Sequence, residues 1–499
     1  MVSPRISTAL FSIATLQLLT ILAGVLRAKG LALALGPGDF GVVGAIDQAV
    51  FAAVTFGALA MPYTAMKFMA RSHSEGDAEF RRTGAGFLRL LMALALVTAP
   101  LVYAVCTLSP GLLGADLAPY NTQLRIAVLA VPSGILVQFF VNAFAAAQRP
   151  GTGTGVNLLY VAAVSAAAVG GAYAYGISGI YVASVAAAIA VMVGGLVHLN
   201  RALGIRVTAS HTGIVQQLRA QPEIIGYAAC FYATLLGYAL TLLIARTVAI
   251  GVLGTEPAGL LQAMFSISLA LGAVLTSLNN LYLAPLVNRR TAAAEKVAAT
   301  GDFSSRILVI LLLSTLPIVL FPGFFLRTLF SADFVPAAGV LWWFVLWQCI
   351  SLIGNAYQQL LIGLDDVVYI AVAAILSHGA TIAALAPLSE ALGIGGIGLA
   401  LCGGAVLHFG MLALRVLVRH GGRVPSLVLV RMAGVAAIVV GSHLVFAQRH
   451  EVGVGAIADR LLFAAGAVFL AWLTLDRADR DPRAMIAALR GAARSATSP

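Results

Sequence analysis

Apolar residues in this chain run on for twenty or more positions at a time, broken only by short charged or Gly/Pro-rich stretches. A membrane barrel strand would alternate apolar and polar residues over about ten positions. These runs do not alternate, and each is long enough to carry a helix through a hydrocarbon layer about 30 Å thick. Cutting at the breaks predicts fourteen spanning helices, near 7–28, 41–66, 84–107, 122–147, 154–175, 177–199, 223–250, 257–286, 305–328, 335–363, 367–388, 393–418, 427–447 and 457–475. The first, after Arg5, is longer than the roughly 7–15 apolar residues of a signal peptide and no small-residue cleavage site follows, so it reads as an uncleaved helix. The longest linker, about 200–222, mixes Arg201, Arg206 and Arg219 with Ile205, Ile214, Val215 and Leu218, the pattern of an amphipathic surface helix.

Two stretches repeat. Arg27 to Leu35-Gly36-Pro37-Gly38-Asp39-Phe40-Gly41 matches Arg246 to Leu253-Gly254-Thr255-Glu256-Pro257-Ala258-Gly259. Each ends one apolar helix, turns through Leu-Gly with one acid and one proline, and opens the next helix at Gly. Ala115-Asp116-Leu117-Ala118-Pro119 recurs as Ala332-Asp333-Phe334-Val335-Pro336, and Asn142-Ala143-Phe144 as Asn355-Ala356-Tyr357. The offsets are 218, 217 and 213, read as slight drift in register. Six spans precede the linker and six follow it before about residue 420, so the repeat is parallel, about an axis along the membrane normal. The expected organisation is an all-α polytopic membrane protein: an N-lobe at 1–200, a linker at 201–222, a pseudo-symmetric six-helix C-lobe at 223–420, two further helices at 421–475 and a tail at 476–499.

Composition agrees: 61% of residues are hydrophobic and 10% charged, against about 25% charged in soluble domains. The net charge of +11 raises the question of nucleic acid, but the charges sit in short loops between apolar runs, where they set topology. With the N-terminus cytoplasmic, 23 Lys/Arg fall on the cytoplasmic side and 7 opposite, while Asp/Glu divide 11 to 8. The bias is specific to basic residues, so both termini are expected in the cytoplasm. One loop dissents, the acidic Asp365-Asp366 on the expected cytoplasmic side. The four cysteines, Cys106, Cys230, Cys349 and Cys402, are isolated in apolar runs and read as packing residues.

Charges inside spans are the informative ones, since each costs about 2.5–3.5 kcal/mol at mid-bilayer on insertion scales. Arg27, Lys29, Lys67, Arg71 and Arg246 are candidates to line a cationic cavity, because a guanidinium fork suits phosphate or pyrophosphate; snorkelling at span ends is the alternative. Arg71 falls on Arg289 in the repeat, whereas Asp47 falls on Phe265. Asp47 is therefore the asymmetric charge, able to pair with Arg27 or to couple transport to an ion. Gln48, Gln138, Asn142, Asn355, Gln358 and Gln359 are candidates for sugar hydroxyls, or for interhelical hydrogen bonds. His198, His378 and His408 show no metal-ligand spacing, and Gly151-Thr-Gly-Thr-Gly155 has no following Gly-Lys-Ser/Thr, so no metal, cofactor or phosphate loop is expected. The Ala/Gly-rich run 162–195 reads as close helix packing without a site, and Pro62, Pro132, Pro285 and Pro317 as bends.

The turn Leu35-Gly36-Pro37-Gly38-Asp39-Phe40-Gly41 after the first helix resembles the signature of the Wzx-type oligosaccharide flippases, polysaccharide transporters of the multidrug/oligosaccharidyl-lipid/polysaccharide exporter superfamily. The resemblance covers nearly the whole chain through its two six-helix lobes and two extra C-terminal helices. It implies a V-shaped pair of lobes around a basic cavity in a bacterial plasma membrane. It implies a polyprenyl-pyrophosphate-linked oligosaccharide as substrate, moved to the outer leaflet by alternating access, with surface-polysaccharide polymerase and export machinery as partners and no enzymatic step. A lipid II flippase and a multidrug/cation antiporter share the expected fold. A membrane glycosyltransferase or polymerase fits less well, because no external loop exceeds about 15 residues.

Overall fold

The computed structural model describes residues 4–111, 113–206, 223–279, 283, 287, 292–446 and 454–473. The linker expected to be amphipathic (beyond 206), Pro285, Arg289 and the tail at 476–499 lie outside these. The described helices are α1 (Pro4–Ala58), α2 (Met61–Glu75), α3 (Asp77–Leu108), α4 (Asn121–Val128), α5 (Val131–Ala146), α6 (Pro150–Leu203), α7 (Glu223–Val248) and α8 (Thr255–Leu278). They continue as α9 (Ala293–Leu320), α10 (Pro322–Leu329), α11 (Leu341–Gly363), α12 (Val367–Leu392), α13 (Ile394–His420), α14 (Ser426–Phe446) and α15 (Val454–Leu473).

Nine of the described helices are long and apolar enough to cross a membrane, and two bent pairs raise this to eleven. Two of the nine are double. α1 breaks at Gly36, and α6 breaks at Tyr175–Gly176. Each break divides its helix into two limbs, and α8 is a further helix of 24 residues. Large apolar side chains stand outward along them, including Leu96, Leu108, Val418, Leu444 and Leu462. In water such a surface would drive association; in a bilayer it is what lipid wets. This is a multi-pass helical membrane protein.

The prolines act where the chain must restart a helix. Pro37, Pro62 and Pro132 each stand in the first turn after a break, where a missing N–H costs no hydrogen bond. Leu59 and Ala60, at positive φ, separate α1 from α2, and a 44° bend separates α4 from α5.

The duplication is visible in the backbone itself. Gly36 (φ 71°, ψ 178°) matches Gly254 (φ 95°, ψ 174°). Gly176 (φ 61°, ψ −146°) matches Gly393 (φ 60°, ψ −141°), and Gly204 (φ 68°, ψ 15°) matches Gly421 (φ 62°, ψ 11°), both 217 residues apart. Ala115–Tyr120 and Ala332–Gly339 are both 3-10 turns that open a bent span. Two of the non-glycine residues at positive φ are paired as well, Gln148 and Asp365, each at 58° and 217 residues apart. The offset is therefore 217 on both sides of Asn142. That corrects one expectation: Asn142 corresponds to Gln359, and its match to Asn355 is a slip of one helical turn, which keeps the same face and so looks plausible in sequence.

Compactness divides the chain at a different place from the repeat. One unit is Pro4–Gln262 and the other runs from Ala263. In the first, Ile46, Met69, Phe87, Phe139, Phe140 and Phe144 form the buried core, and the seventh span, α7, packs with the first six. In the second, Phe265, Phe344 and Trp347 meet edge to face, and Arg431 reaches the backbone carbonyl and hydroxyl of Ser305. The dissenting acidic loop is neutralised within this unit. Asp366 accepts from Arg415 at 2.6 and 3.1 Å and lies 3.2 Å from His420.

Candidate functional site

The break at Gly36 folds the two limbs of α1 back on each other, which sets Arg27 on the first against Asp47 on the second. The Arg27 Nη2 donates to Asp47 Oδ2 at 2.7 Å, with 25% and 30% of the two side chains exposed. Asp47 uses its other oxygen as well, accepting from the Tyr181 hydroxyl at 3.4 Å. That hydroxyl also lies 3.2 Å from the Val43 carbonyl. The next residue, Gln48, faces the other way and donates to the Ala239 carbonyl of α7 at 3.1 Å. Two adjacent polar residues thus join four helical segments.

Arg246, near the end of α7, is buried, 5% exposed. Its Nε donates to Gln262 Oε1 at 2.9 Å and its Nη1 to the Leu242 carbonyl at 3.0 Å. Gly44 makes this possible, since a Cβ there would stand 2.5 Å from the Gln262 amide. The Asp47 carboxylate acts electrostatically on both Arg27 and Arg246. Arg27 thus pairs directly with Asp47, and Arg246 lies within reach of the same carboxylate's field. The Arg27 Nε has no hydrogen-bond partner among the described residues. A pair of guanidinium groups, one of them part-exposed and with a donor that no described residue uses, suits an anion.

The five cationic candidates do not form one group. Lys67 lies 4.0 Å over the Tyr227 ring, and Arg71 lies 3.3 Å from Glu223, both at the opposite end of α7 from Arg246. At 1.5 Å per residue that is about 28–35 Å away. Lys67 and Arg71 are exposed, as snorkelling side chains are. Of the polar candidates, Asn142 returns its amide to the Gln138 carbonyl one turn back, at 2.8 Å. Asn355, Gln358 and Gln359 are half-buried on α11 in the second unit.

Two members of the Arg27–Arg246 cluster escape a reading of the sequence. Gln262 lies sixteen residues after Arg246, and nothing local marks it. Tyr181 lies in the Ala/Gly-rich run expected to carry no site. The structure brings the Tyr181 hydroxyl within 3.4 Å of Asp47. A lone tyrosine in a run of alanines and glycines was the available signal. In the repeat, Asp47 corresponds to Phe265, which is fully buried among aromatic rings. The cluster has no second copy among the described residues.

No protein-family model matches the sequence, and no curated protein does. Solved structures do match, through the fold. The lipid II flippase MurJ in an inward closed conformation superposes with a TM-score of 0.70 at 14% identity, over 94% of this chain and 98% of that one. An inward-facing multidrug resistance MATE family transporter of the MOP superfamily gives 0.58 at 13% identity, over 82% and 98%. The eukaryotic MATE transporter AtDTX14 gives 0.56 at 11%, over 86% and 99%. The chain has the helical transporter fold that these proteins share.

Proposed function

We propose that this protein is a flippase, moving a polyprenyl-pyrophosphate-linked oligosaccharide from the cytoplasmic to the outer leaflet of a bacterial plasma membrane. The observation that carries this reading is the Arg27–Asp47–Tyr181 cluster with Arg246 beside it. Guanidinium forks bind pyrophosphate in two-pronged fashion, and a carboxylate shared between them can be exchanged for the substrate's anion. Asp47 then becomes available to an incoming proton or sodium ion, which gives alternating access a coupling step. The step is binding and release, with no covalent chemistry. Basic-residue bias supports cytoplasmic termini, and the products would pass to polysaccharide polymerase and export machinery.

A lipid II flippase is the second reading. It is favoured by coverage, since the MurJ match extends over 94% of this chain and the MATE matches over 82–86%. Two helices beyond a twelve-helix core account for such a difference and count against the antiporter. Deleting the gene separates the readings. Lipid-linked repeat units trapped on the cytoplasmic face, with surface polysaccharide lost, support the first. Accumulation of murein precursor and lysis support the second. Normal envelopes with drug hypersensitivity would overturn both.

A further inference from the structure

The turn before α6 and the turn before α12 are copies with opposite charge. In each, a non-glycine residue at φ 58° (Gln148, Asp365) precedes one whose amide closes the turn, Arg149 onto the Phe144 carbonyl at 2.8 Å and Asp366 onto the Leu361 carbonyl at 2.9 Å. In the second copy the acid meets two basic groups, Arg415 and His420, and the site is neutral in itself. In the first copy an arginine stands in the acid's place and meets further arginines.

Arg149 borders a cleft of about 340 Å³ with Arg81 and Arg201, walled by Phe80 and His73. That volume is at the lower end of those that hold small ligands. Arg149 is anchored by a neutral acceptor, the Ala202 carbonyl, at 3.3 Å. Gly204, at φ 68°, lets the Arg81 side chain lie against the chain, since a Cβ there would be 3.1 Å from its Cδ. One carboxylate borders the cleft, Asp77, and it is 3.9 Å from Arg81 and exposed. The His73 Nδ1 is buried without a hydrogen-bond partner among the described residues. The ring packs edge-on against Phe80 at 5.2 Å. Arg71 and Arg82, nearby in sequence, have carboxylate partners in Glu223 and Glu79. Three arginines thus border one cleft with a single exposed carboxylate among its lining residues, and like charges that share a cleft repel; the second copy shows how this turn is neutralised when the counter-ion is built in.

We propose that the cleft of Arg81, Arg149 and Arg201 binds a phosphate group, taking from outside the chain the negative charge that Asp366 supplies in the second copy. All three arginines stand at helix ends, so the ligand sits at one membrane surface, the cytoplasmic one on the basic-residue bias. Its phosphate comes either from an anionic phospholipid headgroup, which basic clefts at this level recognise, or from free phosphate. The site is separate from the Arg27–Asp47 cluster, and binding alone tests it.

Purified full-length protein is titrated with dihexanoyl phosphatidylglycerol, with dihexanoyl phosphatidylcholine and with inorganic phosphate. The phosphatidylglycerol probe should bind saturably, more weakly at high salt, and at least tenfold more tightly than the zwitterionic probe. Arg149→Gln with Arg201→Gln should weaken it at least tenfold, while Arg206→Gln, outside the cleft, leaves it unchanged. Arg149→Asp supplies the acid of the second copy and should abolish binding without lowering the melting temperature. Competition by inorganic phosphate at millimolar concentration assigns the ligand to free phosphate; its absence assigns it to the headgroup. Equal binding of the two lipids, or wild-type binding by both the double variant and Arg149→Asp, overturns the proposal. Should the double variant melt early, Arg81→Gln on the exposed side of the cleft gives the same readout.

Discussion

Gly41 and Gly259 approach so closely that a Cβ on the first would stand 2.6 Å from the amide nitrogen of the second. The two copies of the duplicated turn therefore lie against each other, backbone to backbone. A Cβ on Gly259 would in turn overlap the Pro37 carbonyl. Gly41→Ala should destabilise by about 1–3 kcal/mol, the range for overpacking a close contact. Gly38→Ala is the control, because its nearest neighbour, the Thr255 hydroxyl, is at an ordinary 3.6 Å. Melting curves of the purified variants check this. Equal curves for Gly41→Ala and Gly38→Ala would show that the turns do not hold the fold.

How much of the fold and of the cluster is legible in the amino-acid sequence depends on distance along the chain. The spans are, because burial in lipid demands long apolar runs whatever their neighbours. The Leu-Gly turn is too, since its backbone needs a positive φ and a helix start, and both leave residues behind as signatures. The asymmetry of Asp47 follows from the same alignment. The pairings of side chains are harder. Asp47 with Arg27 is twenty residues apart and guessable, but Tyr181 with Val43 spans 138. The Asn142–Asn355 match fails because a slip of one turn preserves the helix face. The matched turns at Gln148 and Asp365 correct it, and nothing in their residue types hints that these unlike side chains share a backbone conformation.

Replacing Asp47 by Asn removes the one carboxylate that acts on both Arg27 and Arg246. Transport should fall at least tenfold with protein abundance unchanged, because the partly exposed pair contributes about 1 kcal/mol to stability, little beside its role in the cluster. The exchange Arg27→Asp with Asp47→Arg rebuilds the ion pair but moves the acid to the other limb of α1. Export and abundance are measured together. Restored export in the exchange variant would mean that the pair serves the fold alone.

Gly44, Gln262 and Arg246 form a chain of positioning contacts. Gly44→Ala pushes a Cβ into the Gln262 amide, and Gln262→Ala removes the acceptor from the Arg246 Nε. Each should lower export by a similar factor, about five- to tenfold for roughly 1–1.4 kcal/mol of lost hydrogen bonding. The double variant should be no worse than either single one, because both act through one contact. Additive losses in that double-mutant cycle would separate Gly44 from Arg246.

Asp366 gives the second unit an acid-labile contact. Its hydrogen bond from Arg415, reinforced by His420, holds its carboxyl below the ordinary carboxylate range. A depressed folded-state value means the unfolded chain takes up the proton first as pH falls. The stabilisation is therefore complete above about pH 4, the unfolded carboxylate value, and drains away as pH drops through the lower folded value. Asp366→Asn removes the charge at every pH, so it should cost about 1–2 kcal/mol at neutral pH. The wild type should lose the same increment on acidification. The gap between the melting temperatures of the two proteins should narrow from pH 7 to pH 3; a constant gap across that range would place the stabilisation somewhere other than the carboxylate's charge.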